Sequence, residues 1–168
     1  MANSEALFPI LKGGKWGYID KKGNVVIEPQ FNEASWFVDG MAVVKAGRKY
    51  GFINETGKLV VPAEFDEVSE VIADGLIAVK VKTKWGYIDK KGKTVIDPQY
   101  KDAADFSDSM AAVEVRGKWG FIDKKGNVVI PPQFADLSYF VDGLAVIEVE
   151  DKLGYINKKG KFVWEPQA

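Results

Sequence analysis

The sequence predicts an all-β fold built from five tandem units, and three observations carry that prediction. The segment Lys15–Phe31 recurs as Lys118–Phe134 with two changes in seventeen positions. An anchor residue returns at Trp16, Tyr50, Trp85, Trp119 and Leu153, at spacings of 34, 35, 34 and 34 residues. Each copy is rich in aromatic and β-branched residues, with Gly directly after the anchor and another Gly six residues later. Tetratricopeptide repeats share a 34-residue period, but Gly and Pro at these recurring positions would break both of their helices. The units are read as residues 6–39, 40–74, 75–108, 109–142 and 143–168, a single repeat domain over 1–168.

Three strands per unit follow, forming an antiparallel meander. The first is Gly40–Ala46, with counterparts at Gly75–Val81, Ser109–Val115, Gly143–Val149 and, more degenerate, Ala6–Lys12. Val44, Val79, Val113 and Ile147 share one face, while Lys45, Lys80, Glu114 and Glu148 occupy the other. That alternation predicts a half-buried strand. The second strand is Trp16–Asp20 and the third Asn24–Glu28. Between them, Asp20-Lys-Lys-Gly23 suits a type I turn closed by a Gly in the left-handed region. Asp20, Asn54, Asp89, Asp123 and Asn157 can accept from backbone amides within these turns. A connector with apolar columns Phe31, Phe65, Tyr100, Phe134 and Phe37, Val71, Phe106, Phe140 then leads to the next unit. The extra residue of the second spacing lies in its connector, before Asp74-Gly75.

A lone meander cannot bury both faces, so the units must pack on one another. Radial packing gives a five-bladed β-propeller and linear packing an open β-solenoid of stacked hairpins. Five 34-residue copies fill almost all of the 168 residues. The fifth copy keeps Phe162 and Trp164 where an open stack wants a polar cap. The sequence therefore predicts the propeller, which would be a monomer once its ring closes.

Composition removes whole classes of function. There is no Cys and no His, so thiol nucleophiles, Cys or His metal sites and Ser-His or Cys-His arrangements are absent. Lys plus Arg is 23 against 24 for Asp plus Glu, a net charge of -1, with none of the basic excess of a nucleic-acid binder. The start has no basic segment before its apolar stretch, which Pro9 interrupts, so no signal peptide is read. No run reaches the length of a membrane span. No cofactor, no metal and no membrane insertion are expected, and the sequence assigns no compartment.

The run Lys-Trp-Gly-Tyr-Ile-Asp-Lys-Lys-Gly, then Val-Val-Ile-x-Pro-Gln-Phe and Phe-x-Asp-Gly-Met/Leu-Ala, resembles the bacterial WG-repeat (KWG-repeat) family. The match covers about residues 6 to 167 and recurs five times. Tyr50 and Leu153 depart from it where the family has Trp. The resemblance implies a β-repeat module found in arrays or beside other domains, and supplies no catalytic residue. Near identity of copies one and four points to recent duplication or to a consensus or designed sequence.

Each candidate site has a plainer structural explanation. The Lys pairs 21–22, 90–91, 124–125 and 158–159 would form a basic rim at the hairpin tips, where solvated charge is ordinary. Acidic residues gather toward the other end of the units. Trp16, Trp85 and Trp119 could stack sugars, but their column fits core packing better, since it also holds Tyr50 and Leu153. Asp39, Asp74, Asp108 and Asp142 could line a channel and hold a cation, though Asp-Gly is a common turn. Repeated carboxylates in equivalent positions lack the unequal environments that acid–base catalysis needs. Trp36 and Tyr139 share a column with Glu70 and Asp105. A column that admits charge is exposed, which makes these two the ligand-contact candidates. The function expected is a non-enzymatic interaction or scaffold module for a protein or peptide partner. Carbohydrate or cell-wall binding is the alternative, and a designed or consensus repeat without a native ligand is a third.

Overall fold

A computed structural model describes residues 6–167 and contains five antiparallel sheets in sequence order. Sheet 1 is β1 (Phe8–Lys12), β2 (Lys15–Ile19) and β3 (Val25–Phe31). Sheet 2 is β4 (Glu33–Ala34), β5 (Met41–Ala46), β6 (Lys49–Asn54) and β7 (Leu59–Phe65). Sheet 3 is β8 (Glu67–Val68), β9 (Leu76–Val81), β10 (Lys84–Asp89) and β11 (Thr94–Tyr100). Sheet 4 is β12 (Asp102–Ala103), β13 (Met110–Val115), β14 (Lys118–Asp123) and β15 (Val128–Phe134). Sheet 5 is β16 (Phe140–Val141), β17 (Leu144–Val149), β18 (Lys152–Asn157) and β19 (Phe162–Trp164).

The meander is as expected, but the three-stranded unit needs correcting. In sheets 2 to 5 a two-residue strand pairs along the outer edge of the first long strand. In sheets 2 to 4 it comes from the chain just leaving the preceding sheet: Glu33 pairs with Lys45, Glu67 with Lys80, and Asp102 with Glu114. Two residues are too few to show a period of two, so this strand has no pattern in the sequence.

The third strand is longer than expected and runs through its proline. Trp16 pairs with Phe31 and Tyr18 with Ile27, so two steps on β2 oppose four on β3. The same bulge recurs in sheets 2, 3 and 4. It places Pro29, Pro98 and Pro132 in locally irregular pairing, where a missing N–H breaks no regular ladder. It also presses the bulged backbone onto the Gly after the anchor. A Cβ on Gly17 would lie 2.4 Å from the Ile27 carbonyl oxygen, and one on Gly120 2.6 Å from that of Ile130. The close approach is from the next strand of the same sheet.

The turns form as their chemistry dictates. In the first, Gly23 N–H donates to the Asp20 carbonyl at 3.1 Å, and Asp20 Oδ1 accepts from the amides of Lys22 and Asn24 at 2.8 and 2.9 Å. Gly23 sits at φ +85°.

The half-buried reading of the first strand is also corrected. Met41, Ala42, Val43 and Val44 are all buried, as are Leu76–Val79 and Met110–Val113. Both faces are covered because each inner sheet has a sheet on either side. Val81 and Val115, two residues beyond Val79 and Val113 on the same face, lie exposed at the strand ends.

Four hydrophobic clusters lie between consecutive sheets. Tyr18, Ile27 and Phe31 of sheet 1 pack on Ala42, Val44 and Ile53 of sheet 2. Phe52, Val61 and Phe65 pack on Ile77, Val79 and Ile88. Tyr87, Ile96 and Tyr100 pack on Ala111, Val113 and Ile122. Phe121 and Ile130 pack on Ala145, Ile147 and Ile156. Each sheet thus has a trailing face, carrying the Tyr18 and Ile27 columns, that meets the leading face of the next, carrying the Ile53 column. Among the described residues no cluster joins sheet 5 to sheet 1. Tyr155 is 45% exposed, whereas Tyr18, Phe52, Tyr87 and Phe121 are at most 1% exposed in the same column.

Connector residues complete each cluster. Phe37 meets Tyr18 edge-on at 4.9 Å, Phe106 meets Tyr87 at 4.8 Å, and Phe140 meets Phe121 at 4.8 Å. The second unit's member of this column is Ile72, which packs against its core, while Val71 is exposed. Ser35 and Ser69 donate N–H to equivalent carbonyls, of Val43 and Ala78. The extra residue is therefore inserted between Ser69 and Ile72.

Candidate functional site

The inter-sheet rim and the connectors hold the surfaces available for recognition. Between sheets 4 and 5 runs an open groove of about 410 Å³, lined by Lys118, Gln133, Phe134, Glu148 and Phe162 among others. A groove of about 340 Å³ lies between sheets 2 and 3, lined by Glu64, Phe65, Val81, Thr94 and neighbours. Glu64, Phe65 and Thr94 are the repeat counterparts of Gln133, Phe134 and Phe162. The same concavity thus recurs where the third strand of one sheet stands beside the next sheet. No single motif announces these residues, and only aligning the copies finds them.

Trp36 and Tyr139 lie in the first and fourth connectors, 62% and 63% exposed, with sheets 2, 3 and 4 between them. Trp36 meets Phe8 edge-on at 6.0 Å. The anchor column is half-buried. Trp16, Tyr50, Trp85 and Trp119 pack against the clusters from the rim, and Leu153 is 57% exposed. Lys45 lies over the Tyr50 ring at 5.0 Å and Lys80 over Trp85 at 5.8 Å. Tyr50 donates its hydroxyl to Glu33 at 2.8 Å, and the Lys45 ammonium beside Glu33 helps hold that carboxyl below its ordinary range.

The connector aspartates serve the fold. Asp39, Asp74, Asp108 and Asp142 all adopt positive φ, between 50° and 53°. Asp74 Oδ2 accepts from the Ser109 amide at 2.8 Å, and Asp108 Oδ2 from the Gly143 amide at 2.6 Å, so each ties one connector to the next. Lys90 pairs with Asp39 and Lys158 with Asp108, which neutralises part of the basic rim. Lys158 and the Gly143 amide hold Asp108 below the usual carboxylate range. Among the described residues no three Asp or Glu side chains gather as a metal site.

The buried hydroxyls are committed as well. Tyr18 donates to the Ser35 carbonyl at 2.7 Å and Tyr87 to that of Ala104 at 2.6 Å, and burial pushes both phenols above their ordinary pKa. Ser138, buried, donates to the Val146 carbonyl. No helix among the described residues is long and apolar enough to cross a membrane.

Solved structures show likeness of fold alone. A eukaryotic initiation factor is similar at TM-score 0.59 and 12% identity, over 91% of this chain and 50% of that one. KlHsv2, with a loop replaced by a Gly-Ser linker, is similar at 0.48 and 14% identity, over 73% of this chain and 46% of that one. The computationally designed Ika4 protein is also at 0.48 and 14%, over 72% and 87%. The chain therefore spans about half the length of KlHsv2 and of the initiation factor. No curated protein matches it. The WG-containing repeat matches residues 16–50, 50–85, 85–119 and 119–152, each running from one anchor to the next. Those four matches cover well over half of the sequence, and the chain belongs to the family of WG-containing repeats, as an all-β repeat module.

Proposed function

We propose that this module is an interaction scaffold that takes an extended protein or peptide segment along its rim. The observation that carries this reading is the recurrence of the same open groove between sheets 2 and 3 and between sheets 4 and 5. Each pairs an apolar floor with polar or charged flanks, so a segment can seat alternate side chains at a regular step. A displayed peptide library panned on the protein tests it. Binders should lose affinity with Gln133→Arg or Glu148→Arg and keep it with Lys21→Glu. Binders indifferent to the groove changes would overturn the reading.

The exposed rings of Trp36 and Tyr139 favour a second reading, carbohydrate binding by stacking. A glycan array would then give signals that fall when either residue becomes Ala.

For the architecture, we infer the open stack over the closed five-bladed propeller. The exposure of Tyr155 and Trp164 on the trailing face of sheet 5 supports it, as does half-exposure of Phe8, Ile10 and Ile19 on the leading face of sheet 1. A closed ring would cover both.

A further inference from the structure

Each inner sheet-to-sheet contact repeats one steric device. The turn Gly of each following sheet is the seat for an aliphatic side chain of the preceding trailing face. Ile27 approaches Gly57 to 3.1 Å of where a Cβ would stand, Val61 approaches Gly92 to 3.3 Å, Ile96 approaches Gly126 to 3.3 Å, and Ile130 approaches Gly160 to 3.2 Å. The series has two unmatched ends. Trp164 occupies the Ile27 column, pairing with Tyr155 as Ile27 pairs with Tyr18, and is 56% exposed. Gly23 is the equivalent seat on sheet 1, and nothing lies within 4 Å of its Cβ position. Around it Phe8, Ile19, Lys21 and Lys22 line an open concavity. Phe8, Ile10 and Ile19 stand where Ala145, Ile147 and Ile156 receive sheet 4.

Charge follows the series at two of its steps. Lys90 at the tip of sheet 3 bridges to Asp39 in the connector entering sheet 2, and Lys158 at the tip of sheet 5 bridges to Asp108 in the connector entering sheet 4. Carried one unit further, the next pair in these columns is Asp142 with the Lys21 of a following sheet 1.

We propose that the exposed trailing face of sheet 5 docks the leading face of sheet 1 of a second copy, head to tail. Trp164 of one copy covers Gly23 of the other, and Asp142 faces its Lys21. The interface is heterologous, so each copy keeps one free face of each kind and association is open-ended. This rests on the open stack inferred above.

Sedimentation equilibrium across a concentration series tests it. The unaltered chain should rise in mass from one copy toward two and more. Tyr155→Lys, which blocks the trailing face, and Ile19→Lys, which blocks the leading face, should each be monomeric alone. Mixed in equal amounts they should form a dimer and stop there, since each supplies the one face the other has lost. An unaltered chain that stays monomeric, or a mixture that does, overturns the docking. Melting then separates the two ways of failing. If the monomer is destabilised sharply by Tyr155→Lys, the ring is closed within one chain and the open stack is wrong too. If both variants melt like the unaltered chain, the ends are open but do not meet.

Discussion

At the scale of single residues, the anchor's following Gly and the turn Gly are held for different reasons, and substitution should separate them. Gly120 has backbone of β15 pressed against it, with the Ile130 carbonyl oxygen and the Pro132 nitrogen each 2.6 Å from a Cβ position. Neither is the end of a flexible side chain, so Gly120→Ala should cost about 2–3 kcal/mol, the upper part of the range for overpacking. Gly126 is at φ +85° with Ile96 3.3 Å from its Cβ position, so Gly126→Ala should cost about 1–2 kcal/mol. Denaturant melts giving the reverse order would show that the turn is the tighter constraint. The anchor itself is a second case. Trp85 is half-buried against its cluster, so Trp85→Ala should cost about 2 kcal/mol, below the range of a fully buried ring. Trp36→Ala should cost well under about 1 kcal/mol, as surface changes do. Equal losses would overturn the contrast between them. The sequence alone marks both glycines by recurrence and the turn role by its Asp-x-x-Gly frame. It cannot reveal that the anchor's Gly faces a bulge, because pairing register between strands is not written in either strand.

At the scale of the element, the hairpin turn makes its own acid sensitivity. The Asn127 side chain donates to Asp123 Oδ2 at 3.0 Å and Asn24 to Asp20 Oδ2 at 2.8 Å, and with the turn amides these bonds hold both carboxyls below their ordinary range. A carboxyl whose pKa is lower folded than unfolded contributes stability above its unfolded value, near pH 4, and loses it as pH falls toward the folded one. The melting midpoint should therefore drop on acidification below about pH 4. Copies two and five already show the neutral version. Asn54 Oδ1 accepts from the amides of Thr56 and Lys58, and Asn157 Oδ1 from those of Lys159 and Lys161. The double variant Asp20→Asn, Asp123→Asn should keep the turns and flatten the acid limb. An unchanged slope would assign the sensitivity elsewhere, such as to Asp66 and Asp108 with their lysine partners. Strands with a period or an apolar run, and turns with side-chain chemistry, are legible in this sequence. The two-residue edge strands are not, because they are fixed by backbone pairing with the next unit. The burial of both faces of β5, β9 and β13 is visible only as the run Met-Ala-Val-Val and its kin, which reads as continuous once sheets are stacked on either side. Of the candidate sites, exposure of Trp36 and Tyr139 follows from their charged column-mates, whereas the rim grooves arise between units and belong to no local motif.

At the scale of the whole molecule, stability should be the sum of four similar interfaces, and removing an end unit tests that. In the open stack proposed above each sheet touches only its neighbours, so deleting residues 143 to 168 removes the contact of Phe121 and Ile130 with Ala145, Ile147 and Ile156 and leaves the other three clusters whole. The shortened chain should still melt cooperatively, at a lower midpoint, and should expose Phe121 as Tyr155 is exposed now. The same deletion in a closed ring would open a gap flanked by two unsupported sheets and damage every unit. The intact chain carries the matching distinction. A closed ring of 168 residues would have a radius of gyration near 15–16 Å by the usual size scaling. Five sheets stacked without closure extend along one direction and should exceed that value in small-angle scattering at dilutions where copies are apart. Scattering that fits the compact value, with a deletion variant that no longer melts cooperatively, would replace the stack with the ring. The apolar ends would then be each other's cover, and Trp164 would find its seat on the Gly23 of its own chain.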